Sequence, residues 1–444
     1  MTSSRFNVCV VLSKLSMIDK LKSIKENKDL YETILVGAGT IIGSFFSYLL
    51  QFVLGRTLSV EDFGSFTTLL SISGLIGVVA VVLGISLVKV VSELYVNEEG
   101  DKLKILFINI SKFSLLIGAI LFLVMFFLRN YISTVFKIGS ISAITLFAVT
   151  AGLGIINSVP PSFIRGLQKF KRFSLFQVLS CLNRFIFPTI FVLMGFGLTG
   201  VLGGLSISSV LTLVLGIVLL GFGLKTAKKI DLTKEYKKII SFSLPVVFTH
   251  LFITSLTSID LILVKKYFSP SEAGYFAGAV TLGKILMFGS GAVTVVMFPK
   301  IVALYTKGKD FYPEFKNLLA ILMVTLFVGV ASYSIFPGLI TRIFFGKTFE
   351  NSISYLPMFS VVVSLLVLIN FFVSFFLAVE KVNVSFLLLP GVVLQYVLLN
   401  YRHSTLYEVM GVDIFACIIT LVLLVVYFYA QRIKWLKTSL MLKN

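Results

Sequence analysis

The sequence predicts an all-α membrane protein that crosses the bilayer about twelve times, with its helices in two six-helix bundles related by an internal repeat. Apolar residues make up 57% of the chain and the mean hydropathy is +1.01, which is more apolar surface than a water-soluble core can bury. The apolar residues fall into about twelve stretches near the roughly 20 residues that cross a bilayer as a helix. One polar hairpin occurs once in each half of the chain.

The repeated hairpin follows an apolar stretch in both halves. Its first copy runs from Arg56 to Phe66, and its second runs from Lys266 to Phe276, 210 positions later. A basic residue opens each copy, and serine, glycine and phenylalanine recur at the same offsets. Duplicated bundles of this kind are common among secondary transporters, so the repeat favours a transport function.

The predicted spans are separated by short polar or basic gaps. They cover residues 32–54, 64–91, 105–128, 140–157, 173–195, 198–223, 239–264, 273–299, 317–340, 355–379, 382–401 and 411–431. The thinnest gap is Glu380-Lys381. Several spans contain proline, which membrane helices tolerate better than soluble helices do and which marks bends.

These spans divide the chain into five segments. Residues 32–223 form an N-terminal bundle of six helices, and residues 239–431 form a C-terminal bundle of six. The basic stretch 224–238 is interpreted as a cytoplasmic linker between them. Residues 1–31 are a basic N-terminal segment, either a helix on the membrane surface or a loose basic tail, and residues 432–444 are a cytoplasmic tail.

The distribution of basic residues predicts the orientation of the chain. If the N-terminus is cytoplasmic, 27 of the 39 Lys and Arg residues lie in cytoplasmic segments and 8 lie in external loops. Cytoplasmic loops of membrane proteins carry such an excess. We therefore expect a multi-pass plasma-membrane protein with both termini in the cytoplasm.

Composition also excludes several functions. The net charge of +19 does not indicate a nucleic-acid partner, because the basic residues lie mostly in short gaps, where topology and anionic headgroups account for them. Cys9, Cys181 and Cys417 are far apart and show no metal-binding spacing. No P-loop is present, and an enzyme acting through an acidic metal site would need a motif such as Asp-x-Asp, which the chain lacks. We expect no cofactor, no metal and no catalytic residue.

Two cations within the predicted spans are candidates for substrate binding. Arg184 lies near the middle of the fifth span, and Lys284 lies about eleven residues into the eighth. A charge at mid-bilayer costs roughly 2.5–3.5 kcal/mol on insertion scales, so it usually faces a wet cavity or a partner. The alternative is a structural ion pair. Because the first six spans contain no Asp or Glu away from their ends, a cavity there would favour anions such as phosphate.

Four further charged or titratable residues complete the candidate set. Asp260, near the outer end of the seventh span, and His250, ten residues before it on the same predicted helix, are candidates for ion coupling. Asp260 could instead be an interfacial carboxylate capped by water or by Lys265 or Lys266, and His250 a buried imidazole bonded to a neighbouring hydroxyl. Arg56 and Lys266 occupy equivalent places in the repeat and are candidate substrate-binding residues, although Arg56 could simply extend to the interface.

Several stretches resemble a known family. Leu54–Gly64 is similar to the hairpin after the first span of polysaccharide-unit flippases, and Ser258–Leu263 with Glu272–Ala277 is similar to their hairpin between spans seven and eight. Pro161–Lys171 resembles their basic loop after span four, and Phe298-Pro299 resembles their end of span eight. The family belongs to the superfamily of multidrug, oligosaccharidyl-lipid and polysaccharide exporters. The chain lacks the Pro-Gly and Ser-Arg signature expected of lipid II flippases.

The resemblance implies two six-helix bundles facing each other in a V. It implies that the protein moves a polyprenyl- or dolichyl-diphosphate-linked saccharide from the cytoplasmic to the outer leaflet by alternating access. A basic cavity with Arg184 and Lys284 would then hold diphosphate or acidic sugar, while the lipid tail stays in the bilayer. Glycosyltransferases and polymerases of the same pathway are the expected partners, besides membrane lipids.

Three other functions remain open. A cation-coupled multidrug or metabolite exporter of the same superfamily is the main alternative, but an exporter of cationic drugs would be expected to carry carboxylates in its N-terminal bundle. A polytopic glycosyltransferase or ligase would need an acidic metal site or a large external loop. A membrane scaffold without transport activity is the third.

Overall fold

The computed structural model describes residues 28–221 and 230–441. The predicted N-terminal segment therefore lies almost entirely outside the described residues, as do much of the predicted linker and the last three residues. The described residues form α-helices joined by short turns. The helices are α1 (Lys28–Thr57), α2 (Val60–Val96), α3 (Gly100–Phe127), α4 (Arg129–Val135), α5 (Ile141–Asn157), α6 (Val159–Gly166), α7 (Phe170–Leu193), α8 (Gly197–Leu220), α9 (Thr233–Leu256), α10 (Ile259–Tyr267), α11 (Pro270–Thr306), α12 (Tyr312–Ile335), α13 (Pro337–Phe345), α14 (Leu356–Ala378), α15 (Leu389–Tyr401) and α16 (Leu406–Met441).

Twelve membrane-spanning segments are present in the described part of the chain, which confirms the predicted number. They are Leu35–Thr57, Val60–Val96, Gly100–Phe127, Ile141–Gly166, Phe170–Leu193, Gly197–Leu220, Thr233–Leu256, Pro270–Thr306, Tyr312–Ile335, Leu356–Ala378, Asn383–Tyr401 and Leu406–Arg432. The thin gap at Glu380-Lys381 does separate two spans. The seventh differs from its prediction, because the helix stops at Leu256 and a separate helix, α10, begins at Ile259.

The helices of each half pack mainly against one another. In the first half, α7 lies between α1 and α8, α5 packs against α3 and α8, and α2 packs against α6. In the second half, α14 lies between α11 and α16, and α12 and α15 pack at the sides. The two halves meet where α2 contacts α9, α10 and α11. This arrangement agrees with the predicted all-helical fold of two bundles.

A second repeat signal appears in the turns that follow α6 and α14. The segment Arg165–Lys169 corresponds to Leu377–Lys381 at an offset of 212 positions. Gln168 and Glu380 both adopt a left-handed conformation, with φ of 57° and 61°. In each turn the residue after it donates its backbone N–H to a carbonyl five positions earlier, at 3.1 and 2.8 Å. The two halves therefore end their fourth spans with the same backbone motif.

The two copies of the polar hairpin meet at one end of the molecule. We call this end, which carries residues 56–66 and 266–276, the hairpin end, and the opposite end the linker end. The Ser271 hydroxyl donates to Glu61 Oε1 at 3.0 Å. A Cβ atom added to Gly64 would lie 2.8 Å from the Cα atom of Gly274. Each pair is separated by 210 positions, so equivalent residues of the repeat touch across a local twofold relation.

Sequence explains why both hairpins are compact. Ser59 caps α2 by accepting a hydrogen bond from the Asp62 backbone N–H at 3.2 Å. Ser269 caps α11 in the same way, and the Glu272 carboxylate returns to the Ser269 backbone N–H to complete a capping box. Glycine is needed at positions 64 and 274 because the two backbones approach closely there.

Two seams run from the hairpin end toward the linker end. The α2–α9 seam is bridged along its length: Ser86 and Ser243 share a hydrogen bond of 2.7 Å, and Lys238 Nζ lies 2.6 Å from Glu93 Oε2. The α1–α11 seam is joined near its middle by the Tyr48 hydroxyl, which donates to the Lys284 carbonyl at 3.2 Å. Beyond that point, large apolar side chains on both helices are exposed, including Ile41 at 72% and Val295 at 74%.

Candidate transport site

Arg184 lies in a cavity within the first bundle. The cavity has a volume of about 220 Å³ and lies among α1, α2, α7 and α8. Its lining residues are Phe46, Ser47, Leu50, Gln51, Phe66, Leu70, Cys181, Arg184, Phe185 and Leu205. Arg184 has an exposed side chain and belongs to the lining of this cavity. The structure therefore places Arg184 in the lining of a cavity, and its role in substrate binding stays a prediction.

The lining of this cavity carries positive charge without an opposing carboxylate. Its other polar members are Ser47, Gln51 and Cys181. Gln51 Oε1 is buried and has no hydrogen-bond partner among the described residues. Arg184 is absent from the salt bridges that the described residues form. Such a cavity suits an anion such as phosphate, whose oxygens can accept two parallel hydrogen bonds from the N–H groups of the guanidinium.

Lys284 is not part of the lining of this cavity. It is half-buried on α11, and its carbonyl accepts a hydrogen bond from Tyr48, the neighbour of the cavity residue Ser47. The described residues offer it no salt bridge, and it interacts electrostatically with Asp260. Lys284 thus contacts α1 through its carbonyl and interacts through its charge with the acidic part of the second bundle.

Asp260 is a buried carboxylate at the start of α10, with 3% of its surface exposed. It interacts electrostatically with a second buried carboxylate, Asp413 on α16, which is 1% exposed. Asp260 Oδ1 and Asp413 Oδ2 have no hydrogen-bond partner in the described part of the chain. Two neighbouring carboxylates of this kind favour binding of a proton or a cation. Keeping both of them charged in an apolar setting would cost much free energy.

Gln395 connects this pair to the break in the seventh span. Its Nε2 donates to Asp413 Oδ1 at 2.8 Å and to the Leu256 carbonyl at 3.3 Å. Leu256 is the last residue of α9, so the side chain satisfies a carbonyl at the end of a broken helix. Gln395 Oε1 has no partner among described groups. Carboxylate and amide oxygens are ligands that suit a hard cation such as Na⁺.

The break changes the predicted relation between His250 and Asp260. A single helix would fix their separation and angle, but the two residues lie on different helices, α9 and α10. His250 is half-buried, and the neighbouring Thr249 hydroxyl bonds to the Ser385 hydroxyl. The structure does not bring His250 together with the Asp260–Asp413 pair, and its role in coupling stays a prediction.

Arg56 and Lys266 lie at the hairpin end, away from the Arg184 cavity. Arg56 donates to the Ile343 carbonyl at 2.6 Å, and its guanidinium lies 4.5 Å from the Phe52 ring centre. Lys266 is exposed and donates to the hydroxyl of Tyr267 at 3.2 Å. Both contacts are structural, so a substrate-binding role for either residue also stays a prediction.

Sequence reasoning did not single out Asp413, Gln395 or Lys265. Asp413 and Gln395 lie within predicted spans, so a polar residue inside an apolar stretch was the available signal. Lys265 is the buried lysine of the Lys265-Lys266 pair, whereas the repeat drew attention to Lys266. Within the described residues, no group of three or more His, Cys, Asp and Glu side chains could hold a metal ion.

The fold is similar to solved transporters of the MOP superfamily. An inward-facing multidrug resistance transporter of the MATE family aligns with a TM-score of 0.73 and 16% identity, covering 87% of this chain and 94% of that chain. The lipid II flippase MurJ, in an inward closed conformation, aligns with a TM-score of 0.68 and 16% identity over 92% of this chain and 90% of that chain. A MOP superfamily transporter from Pyrococcus furiosus, described by a reverse polarity of its binding pocket, aligns with a TM-score of 0.61 and 19% identity over 91% of this chain and 95% of that chain.

The chain thus has the fold of these MOP-superfamily structures, with twelve candidate membrane-spanning helices in its described residues. The family of polysaccharide biosynthesis proteins matches residues 30–305, which is more than half of the chain. The chain belongs to this family, as its hairpin motifs indicated. No curated protein matches the sequence at a significant level.

Proposed function

We propose that this protein flips a lipid-linked saccharide whose lipid and sugar are joined by diphosphate, from the cytoplasmic to the outer leaflet of the plasma membrane. The observation that carries the proposal is the Arg184 cavity, which presents a guanidinium without a carboxylate in its lining. Membership of the polysaccharide biosynthesis family supports a saccharide substrate. Glycosyltransferases and polymerases of the same pathway would be its partners.

The diphosphate would bind in the Arg184 cavity of the first bundle. Arg184 can donate two parallel hydrogen bonds to phosphate oxygens, and Lys284, across the α1–α11 seam, adds a point charge. Gln51, with an unpartnered oxygen in the cavity, can accept a hydrogen bond from a sugar hydroxyl. Because Lys284 also interacts with Asp260, its charge is shared between the substrate and the acidic pair.

The lipid tail would stay in the bilayer through the α1–α11 seam. The linker-end half of this seam exposes apolar side chains on both helices, including Ile41, Phe45 and Val295. A polyprenyl chain can lie against such a surface while the charged head enters the cavity. The α2–α9 seam, which is bridged by polar contacts, offers no equivalent opening.

Net transport in one direction requires either coupling to an ion gradient or downstream consumption of the product. A carrier couples to an ion only if that ion binds its two states differently. The Asp260–Asp413 pair lies beside the break between α9 and α10, where a change in helix angle would alter its geometry. Na⁺ or H⁺ bound there would relieve the repulsion of the two carboxylates and free Lys284 for the substrate.

Alternating access would proceed by separation of the hairpins. The bundles touch at the hairpin end through Gly64 and Gly274 and through Glu61 and Ser271, so this state is closed at that end. If the hairpin end is on the external side of the membrane, the state that is closed there is the inward-facing state. The higher similarity to an inward-facing MATE transporter, with a TM-score of 0.73, than to an outward-facing one, at 0.63, supports this assignment.

The test is flipping of a fluorescent polyprenyl-diphosphate saccharide in reconstituted vesicles. We expect an Arg184→Ala, Lys284→Ala double variant to lose at least about a hundredfold in rate, since two charged hydrogen-bond donors are worth roughly 1.5–3 kcal/mol each. Lys112→Ala is the matched control, because Lys112 is an exposed lysine on α3 outside the cavity. Wild-type flipping by the double variant would contradict the proposal.

The alternative substrate class is tested in the same vesicles. A cation-coupled exporter would use the Asp260–Asp413 pair equally well, so the pair alone does not identify the cargo. Efflux of a cationic dye that is abolished by Asp260→Asn but is unaffected by Arg184→Ala would favour multidrug export over flipping.

A further inference from the structure

Lys265 is a buried cation at the contact between the bundles. It lies in the last turn of α10, is 1% exposed, and its Nζ has no hydrogen-bond partner in the part of the chain that the structure describes. The helix that carries it packs against α2 of the other bundle. It lies outside the membrane-spanning segments, at the hairpin end.

The charges around Lys265 do not compensate its burial. Glu61 and Asp62, at the start of α2, attract it, and Lys137, before α5, repels it. Glu61 already accepts from Ser271, and neither carboxylate comes within salt-bridge distance of Lys265 in the described structure.

Two other charges lie on the same hairpin as Lys265. Lys266 is exposed and bonds to Tyr267, and Glu272 is occupied by the capping box with Ser269. Neither of them offers Lys265 a partner.

Burial without a partner makes the closed state unfavourable for the ammonium group. Burial lowers the pKa of Lys265 to about 8, against the opposing attraction of Glu61 and Asp62. An exposed lysine has a pKa of about 10.4. The neutral form is therefore favoured by closure and the charged form by any state in which water reaches the group.

We propose that Lys265 drives the hairpin end open: its charge is unfavourable while the hairpins of the two bundles are in contact and is hydrated when they separate. Closure relies on the Gly64–Gly274 approach, on Glu61 with Ser271, and on packing of Phe63 against Phe345 and Phe349. Lys265 opposes these contacts, so that the carrier does not remain trapped in the closed state. The inference rests on the proposed alternating access but not on the identity of the substrate.

The sign of the pH dependence follows from the two pKa values. The open state binds more protons than the closed state between about pH 8 and pH 10.4. Raising the pH through this window therefore shifts the population toward the closed hairpin end. Below about pH 8 the group is charged in both states, and the population no longer responds to it.

The experiment measures the distance between spin labels on the two bundles in lipid nanodiscs without substrate. The labels are placed at Asn130→Cys and Ser404→Cys, both exposed at the hairpin end, in a background lacking the native cysteines. We expect Lys265→Met to reduce the open population at least about tenfold, whereas Lys347→Met, at an exposed lysine of the same end, leaves it unchanged. Lys265→Arg should retain the open population and lose the response near pH 8–10.

Two results would overturn the inference. An increased open population in Lys265→Met would show that attraction to Glu61 and Asp62 makes Lys265 a lock instead. An unchanged population in that variant, together with a wild-type population that does not respond between pH 7 and pH 10, would show that the lysine has no influence on opening. Since no substrate is present, neither result depends on whether Arg184 binds diphosphate.

Discussion

The two seams between the bundles are equivalents in the repeat, yet several polar contacts bridge α2 and α9, whereas the described residues of the linker-end half of the α1–α11 seam show none. The offset of 210 positions relates α2 to α11 and relates the α9–α10 segment to α1. In the α2–α9 seam, Ser86, Lys89 and Glu93 bridge to α9. Their equivalents on α11 are Val296, Pro299 and Ala303, which have no polar group to offer. Duplication supplied the same geometry twice, and different side chains left polar bridging residues in one copy and residues without a polar side chain in the other.

The largest expected effect comes from fixing the exposed seam. We expect a thiol cross-linker between Ile42→Cys and Val295→Cys to abolish flipping, because it blocks the path of the lipid tail. A disulfide between Ser86→Cys and Ser243→Cys, whose hydroxyls lie 2.7 Å apart, should leave at least half of the activity. Flipping in vesicles is measured before and after reduction. Equal inhibition by both cross-links would remove the distinction between the seams.

The second largest effect on transport is expected from a substitution that disturbs closure of the hairpin end. Gly64→Ala should slow transport about tenfold, because its Cβ would lie 2.8 Å from Gly274 Cα and overpacking costs typically 1–3 kcal/mol. Gly77→Ala on the same helix is the matched control, because a Cβ atom added to Gly77 would have no described atom within 4 Å. Transport and the spin-label distance across the hairpin end are measured together. Normal closure in Gly64→Ala would show that the glycine contact is not needed.

The acidic pair should affect coupling more than basal flipping. We expect Asp260→Asn and Asp413→Asn each to remove most of the acceleration produced by an imposed Na⁺ or H⁺ gradient, and His250→Asn to remove less. The reason is that each substitution removes one of the two buried carboxylates, whereas His250 lies apart from the pair. Full gradient dependence in Asp260→Asn would make the aspartate a structural group.

The smallest effect is expected for the ion pair of the closed seam. Glu93→Gln removes the contact with Lys238, whose side chain is 62% exposed. Exposed ion pairs contribute typically 0.2–1 kcal/mol, so the rate should change less than about fivefold and the change should diminish at high salt. A complete loss of transport would show that this pair controls the α2–α9 seam, contrary to its exposure.

The fold could be predicted from sequence further than the site could. Apolar length and the hairpin repeat were sufficient for twelve spans, because a bilayer requires each crossing to be a helix of a given length. The break after Leu256 was missed, because the carbonyl it leaves is satisfied by Gln395, more than a hundred residues away. Likewise, Asp413 becomes a candidate only when α16 is placed beside Asp260. Partners that are distant in sequence leave no local pattern.

The central claim is that the cavity recognises the diphosphate of a lipid-linked saccharide. Its most direct test compares two substrates that share one polyprenyl chain and one sugar, in the same vesicles, one joined by diphosphate and the other by an uncharged glycosidic link. We predict that the wild-type protein flips the diphosphate-linked substrate at least about a hundredfold faster, and that Arg184→Ala narrows the difference by slowing that substrate alone. Equal rates for the two substrates in the wild-type protein would contradict the account.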